Sequence, residues 1–308
     1  MTHSRKRRAW WVPLVLILAL AVALACSSCG KQGTRPVTHP SAGTTPAQPT
    51  SPQPSSPASH GPTPGNLPAH WNSDQLMKVD QTKRDFTFAV FGDNRGSTTV
   101  FPTLISRANS DNVLFTLDNG DLVDSGTVSN YRLFLGQIVA STKPFLTAIG
   151  NHEDESSYHA LLGPSYYNFT IGDSLFIVLD DSNEKNIDGA QIEWLKSKLA
   201  DGQSQKYRFV IMHVPLYDPR LSGEAVEHSL SDLNFAHRLN ALFDQNHVTL
   251  LITSHIHGYF EGIWGVTPYI LTAGAGAPLY GTDPAHFFYH YLLVHVSDQG
   301  VTHQVVKI

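Results

Sequence analysis

The chain has 308 residues, with 21 Lys and Arg against 26 Asp and Glu, and two cysteines. Six of the basic residues and no acidic one fall within residues 1 to 69, so the remainder sets 15 basic against 26 acidic side chains, a net charge near −11. So acidic a region lacks the basic footprint that a phosphate backbone demands, which argues against nucleic-acid binding.

Arg5, Lys6, Arg7 and Arg8 precede an apolar run from Ala9 to Cys26. A basic start, no acidic residue and a polar tract beyond mark an export signal or a single membrane anchor rather than a core helix. The end of the run, Ala23-Leu24-Ala25-Cys26, resembles a bacterial lipobox, with Cys26 as the first, lipid-bearing mature residue. An uncleaved anchor with its positive end inside is the alternative. Both cysteines, Cys26 and Cys29, lie in this stretch, so the later chain has neither a disulfide nor a thiolate ligand. From Lys31 to Pro68 the sequence is Pro, Ser, Thr and Gly with almost no large apolar side chain, too little to offset the entropy of ordering, and it reads as a tether. The expected organisation is a signal or anchor over 1–29, a linker over 30–69 and one folded domain over 70–308. That domain is expected outside the cytoplasmic membrane, either held there by the anchor or lipid or secreted.

From Phe86 onward short apolar runs alternate with helical patterns, the signature of an α/β protein. Phe86 to Phe91 stops at Gly92-Asp93, and Val100, Phe101, Leu104, Ile105 and Ala108 recur at helical spacing. Val113 to Leu117 leads to Gly120-Asp121, and Tyr131, Phe134, Leu135, Ile138 and Val139 form a second helix face. Phe145 to Ile149 ends at Gly150-Asn151-His152-Glu153. These clusters lie about thirty residues apart, one βαβ unit, so three parallel strands are predicted to deliver their ends to one sheet edge, where α/β proteins bind ligands. Tyr166 to Ile171 and Leu175 to Leu179 predict a strand pair through Gly172-Asp173, and Gln191 to Leu199 a helix. Tyr207 to Met212 ends at His213, and Val248 to Thr253 at Ser254-His255-Ile256-His257. Tyr269 to Thr272, Phe287 to Val296 and Val301 to Ile308 are rich in β-branched and aromatic residues and predict antiparallel strands forming a second sheet.

Singly these clusters say little, since Gly-Asp after a strand is a common turn and a lone histidine is usually structural. Together, five strand ends carry only carboxylate, amide or imidazole groups, and His255 and His257, two apart, face the same way in extended chain. Oxygen and nitrogen donors of this kind suit Mn, Fe or Zn. In this order the clusters resemble the calcineurin-like metallophosphoesterases, which include the purple acid phosphatases. The motifs Gly-Asp-x-His, Gly-Asp, Gly-Asn-His-Asp/Glu, His and Gly-His-x-His appear here as Gly92-Asp93-Asn94-Arg95, Gly120-Asp121, Gly150-Asn151-His152-Glu153, His213 and Ser254-His255-Ile256-His257.

The resemblance implies a four-layer α/β/β/α sandwich with two mixed sheets and a pair of divalent or trivalent metal ions. It implies that Asp121 bridges the ions, that Asp93 and His257 hold the first, that Asn151, His213 and His255 hold the second, and that His152 is the acid near the leaving group. The implied reaction is attack of a metal-activated water on a small phosphomonoester or phosphodiester. Two departures stand out. Ser254 replaces a glycine, and Arg95 occupies the place of a further ligand to the first metal, although a guanidinium has no lone pair to give. In one reading Asp124, at the place of the purple acid phosphatase tyrosine, completes the first site while Arg95 grips phosphate. In the other, Asp124 caps the next helix and Arg95 pairs with an acid such as Glu153. Arg95 also leaves room for a rival function, a catalytically impaired binding module on the same fold. His159, His228, His237, His247, His286, His290, His295 and His303 lie outside the motifs and read as surface or core. Pro215 to Ser231 reads as a loop over the site, and Gly274 to Pro278 as either a tight turn beside the site or a plain connection.

Overall fold

The computed structural model of the protein describes residues 67–220 and 228–308. The N-terminal run, nearly all of the tether and residues 221–227 lie outside the described residues. Among those described, no helix is long and apolar enough to cross a membrane.

In chain order the elements are α1 (Trp71–Leu76), β1 (Phe86–Phe91), α2 (Val100–Ser110), β2 (Thr116–Asp118), α3 (Val128–Ile138), β3 (Phe145–Thr147), α4 (Glu155–Leu161), β4 (Tyr167–Ile171), β5 (Ser174–Val178) and α5 (Gly189–Asp201). They continue with β6 (Tyr207–Ile211), α6 (Leu233–Gln245), β7 (Leu250–Thr253), β8 (Tyr259–Trp264), β9 (Thr267–Thr272), β10 (His290–Ser297) and β11 (Gly300–Lys307). One sheet runs β11-β10-β1-β2-β3 and the other β4-β5-β6-β7-β9-β8. β1, β2 and β3 are mutually parallel, as the spacing of their motifs predicts, while β10 joins β1 antiparallel. In the second sheet β5, β6, β7 and β9 are parallel and β4 and β8 close the edges antiparallel.

The C-terminal strands do not form a sheet of their own. β10 and β11 complete the first sheet, and β9 enters the second beside β7. Their β-branched pattern marks them as strands, but which edge a strand joins depends on partners distant in sequence.

Alternation along the strands builds the layers. Phe88 and Val90 of β1 pack between the sheets with Phe115, Phe176, Phe209 and Ile252, while Ala89 and Phe91 face the opposite way, toward Phe101 and Leu104 of α2 and Phe134 of α3. On the far side of the second sheet, Ile177, Val210 and Leu251 pack against Leu195 of α5 and Leu239 of α6. The order is thus helices, sheet, sheet, helices. The inter-sheet seam is aromatic: Phe88 stacks on Phe115 at 5.1 Å, and Phe176 stacks on Phe209 at 4.7 Å. Thr127, Asp154, Asp188 and Asp232 cap α3, α4, α5 and α6 by accepting a backbone N–H.

Candidate metal centre

β1, β2, β3, β6 and β7 all end toward the same edge, and each is followed within four residues by a polar side chain of the site. Immediately after the strands the backbone turns sharply. Asp93, Asp121 and His255 take φ of 63°, 56° and 69°, a left-handed conformation that costs a non-glycine residue about 1–2 kcal/mol. Backbone bonds hold these turns together: Asp93 donates to the Gly120 carbonyl, Arg95 to that of Asp121 and Ser254 to that of His213. Gly120, at φ 92°, is required, because a Cβ there would sit 2.7 Å from His213 Nδ1. Ser254 is buried and donates its hydroxyl to the Thr272 carbonyl at 2.9 Å, so the polar group that replaces a glycine hydrogen has a partner.

All seven residues singled out by sequence meet here. One ligand atom each from the buried Asp93, Asp121 and His257 lies within 4.8 Å of the others, and His257 Nε2 is 3.3 Å from Asp93 Oδ1. Beside them, Asn151 Oδ1 lies 3.1 Å from His213 Nε2 and 3.0 Å from His255 Nδ1, and His213 Nε2 is 3.3 Å from Asp121 Oδ1. His152 stands over the group with Nε2 3.8 Å from Asp121 Oδ2, and its backbone N–H donates to Asp121 Oδ1.

The outer contacts show what the cluster is built to hold. The Nδ1 of His257 lies 2.6 Å from the Pro278 carbonyl, and that of His213 lies 2.9 Å from the Asn119 carbonyl. A carbonyl can only accept, so both Nδ1 atoms carry hydrogen and both Nε2 lone pairs point at carboxylates. Asp93 Oδ1 is buried without a hydrogen-bond partner. Lone pairs and carboxylate oxygens converging in a buried space repel one another unless a cation lies among them. The donor set therefore fits metal ions.

The electrostatics divide: one imidazole is held neutral, while the buried carboxylates draw positive charge onto the other, as they would draw a cation. Burial, then the charge expected at His213, push the His255 imidazole down to about 4, which keeps it neutral and able to ligate. Burial works against the charge of His213, yet Asp121, Asp93 and Asp181 together raise it well above the usual range. Burial likewise opposes ionisation of Asp121, but His213 and His152 hold it below the ordinary carboxylate range. Two buried carboxylates support the loops from behind. Asp181 accepts the backbone N–H groups of His213 and Val214 at 2.9 and 2.8 Å. Glu153 Oε2 accepts those of Gly150 and Asp121 at 2.6 and 2.9 Å, and its Oε1 that of Val123 at 3.2 Å.

The alternatives left open by the sequence resolve as follows. Arg95 Nη2 pairs with Asp124 Oδ1 at 2.7 Å, not with Glu153, whose oxygens are taken by amides. The cap of α3 is Thr127 rather than Asp124, whose carboxylate faces Arg95 and lies largely exposed. The Asp124 carbonyl sits 2.9 Å from His152 Nδ1 and so fixes that ring. Gly274 to Pro278 is a turn beside the site: Ala275 and Ala277 donate to the Gly92 and Asp93 carbonyls, and Pro278 orients His257.

Two residues without a motif also reach the rim. Tyr280 stacks on His257 with ring centroids 4.1 Å apart, and the His228 ring lies 5.9 Å from that of His255. His228 lies in the Pro215 to Ser231 segment that the sequence reads as a loop over the site, whereas no local signal announces Tyr280. The other motif-free histidines stay away from the cluster. His290 is buried in the first sheet, His286 stacks on Phe260, and His237 lies against Tyr217.

Two mixed sheets under helices, with carboxylates, an amide and imidazoles converging at their strand ends, define the α/β architecture of a metallophosphoesterase. The chain belongs to the calcineurin-like phosphoesterase family, whose sequence model matches residues 86–259. The 3',5'-cyclic adenosine monophosphate phosphodiesterase CpdA of Escherichia coli strain K12 is 28% identical over 155 residues, covering 47% of this chain and 54% of CpdA. The chain thus spans about half the length of the curated relatives it matches. Purple acid phosphatase PPD1 of yellow lupin shares the fold with a TM-score of 0.59 at 16% identity, over 74% of this chain and 54% of that one. A dimetal phosphatase of Danio rerio does so at 0.55 and 12% identity, over 73% of this chain and 99% of its own.

Proposed function

We propose that this protein is an extracytoplasmic hydrolase of phosphate monoesters or diesters that uses two divalent or trivalent metal ions, Mn, Fe or Zn. The observation that carries the reading is the convergence of Asp93, Asp121 and His257 within 4.8 Å, with Asn151 bridging His213 and His255 alongside. In this reading Asp93, His257 and Asp121 would hold the first ion and Asn151, His213, His255 and Asp121 the second, with Asp121 shared between them. Metal ions bound there would supply a nucleophilic water at neutral pH and positive charge against the phosphoryl oxygens.

The side chains do the rest. His152 keeps Nδ1–H on the Asp124 carbonyl and turns Nε2 toward Asp121 Oδ2, so a proton at Nε2 is held facing the site, ready for a leaving alkoxide. Asp181 and Glu153 fix the backbone from which His213 and Asp121 project. The name of CpdA supports the reaction class, and the basic, apolar start of the chain supports attachment to a membrane or export through it. The expected substrate is a small phosphoester.

Hydrolysis of a chromogenic phosphate ester in the presence of Mn²⁺, lost in Asp121→Asn, is the test. No turnover by the wild-type chain, or an equal rate in the variant, overturns the proposal. Arg95 favours a second reading, a surface module that binds without turnover, and the same assay separates the two.

A further inference from the structure

Arg95 stands two residues after Asp93, where the family's first motif commonly carries histidine. Its φ of 44° is left-handed, a strain that only the surrounding structure maintains. The backbone N–H of Arg95 is tied to the Asp121 carbonyl at 2.9 Å, so the residue is anchored to the same turn as the cluster. Tyr280, stacked on His257, lies within electrostatic reach of Arg95 as well as of Asp93 and Asp121. Its partner Asp124 offers its carbonyl to His152 Nδ1 at 2.9 Å, so the guanidinium lies at the rim of the site.

Its present partner is weakly bound. Asp124 is 72% exposed and meets Arg95 through a single contact, the kind of ion pair worth about 0–1 kcal/mol. Arg95 Nε is buried and donates to no partner. The other arginine near Tyr280 differs: Arg220 grips the buried Asp218 with Nε and Nη2 at 2.9 and 2.6 Å, a bidentate pair that fixes its loop. Arg95 is thus the guanidinium that an incoming dianion can draw away from its acid at little cost.

We propose, resting on the phosphoesterase reading, that Arg95 is a specificity-determining residue that takes a terminal phosphoryl oxygen and makes this site a phosphomonoesterase. A phosphomonoester carries about two negative charges at neutral pH and three terminal oxygens. A phosphodiester carries one charge and two such oxygens. An additional fixed cation that cannot ligate metal, placed beside a site that already binds through metal ions, rewards the extra oxygen and charge of the monoester.

The test uses the full-length chain, Mn²⁺, inorganic phosphate, and 4-nitrophenyl phosphate against bis(4-nitrophenyl) phosphate. Arg95→Gln is expected to weaken phosphate binding to the Mn²⁺-loaded protein, measured by calorimetry, by about 10- to 100-fold, the loss of a charge-assisted contact. The monoester kcat/KM falls by a similar factor, the diester kcat/KM by less than about 3-fold, and Arg95→Lys recovers part of the loss. Mn²⁺ affinity without phosphate stays the same, and Asp124→Asn binds phosphate at least as tightly as wild type. Equal losses on both esters, unchanged phosphate affinity in Arg95→Gln, or weaker phosphate binding in Asp124→Asn overturns the proposal. If the wild-type chain hydrolyses neither ester, the phosphoesterase reading fails while the calorimetric comparison still decides the role of Arg95.

Discussion

Glu153 offers the sharpest perturbation of the site, because it touches the cluster only through the backbone. Its two oxygens accept three buried N–H groups, those of Gly150, Asp121 and Val123. Each such hydrogen bond contributes about 0.5–1.5 kcal/mol, and truncation leaves the buried donors unsatisfied at about 1–3 kcal/mol each. The three share one acceptor and do not add fully, so Glu153→Ala is expected to cost about 3–5 kcal/mol. Glu153→Gln is a finer probe. A glutamine oxygen at the Oε2 position keeps the Asp121 and Gly150 bonds, but its amide turns a donor toward the Val123 N–H, at a cost of about 1–3 kcal/mol. Burial, followed by the Asp121 charge, pushes the Glu153 carboxyl up, so loss of the charge itself offsets part of that cost. Urea unfolding with chelator present measures the stability, and Mn²⁺ titration of the folded protein measures whether the Asp121 turn has moved. The expected order is wild type, Gln, Ala in both. If both variants unfold within about 0.5 kcal/mol of wild type, Glu153 does not brace the site.

Three further outcomes follow from the geometry. His290 is fully buried, and burial pushes its imidazole down to about 4, while an unfolded histidine titrates near 6.5. The unfolded state alone takes the proton over that interval, so stability contributed above pH 6.5 is lost as pH falls toward 4, up to about 3 kcal/mol; His290→Gln, unfolded by urea with chelator at pH 7.5 and 4.5, is expected to show that much less pH dependence. Phe176 stacks on Phe169 and Phe209 between the sheets, so Phe176→Ala is expected to cost about 3–5 kcal/mol in urea unfolding, and a loss below 1 kcal/mol contradicts the packing described. His152→Ala is expected to slow hydrolysis of phenyl phosphate by about 100-fold or more but the 4-nitrophenyl ester far less, because a good leaving group needs no proton; equal losses exclude His152 as the acid.

The convergence of the seven motif residues was legible because each short apolar run stops at a polar tip, and parallel strands bring such tips to one edge. The strand pair through Gly172-Asp173 was legible for a similar local reason, with Ile171 facing Ser174 across the turn. Long-range choices were not. Nothing within β10 or β9 says that the two strands enter different sheets. Arg95 and Asp124 lie 29 residues apart, and only the fold selects Asp124 over Glu153 as partner. α6 carries a readable signal: Asp232 caps it, and Phe235, Ala236, Leu239 and Phe243 follow at helical spacing. β8 had none, since its exposed Glu261, Gly262 and Ile263 break any alternation. His228 and Tyr280 reach the rim through loops, whose paths follow tertiary contacts rather than local pattern.

The proposed chemistry depends on two metal ions sharing Asp121. The most direct test is metal content after equilibrium dialysis of the full-length chain against Mn²⁺, Fe²⁺ or Zn²⁺, with Asp121→Asn measured beside it. The account predicts two ions per wild-type chain at saturation and a clear loss of bound metal in the variant. Wild-type protein that retains no metal, or an Asp121→Asn variant that binds as much, contradicts it.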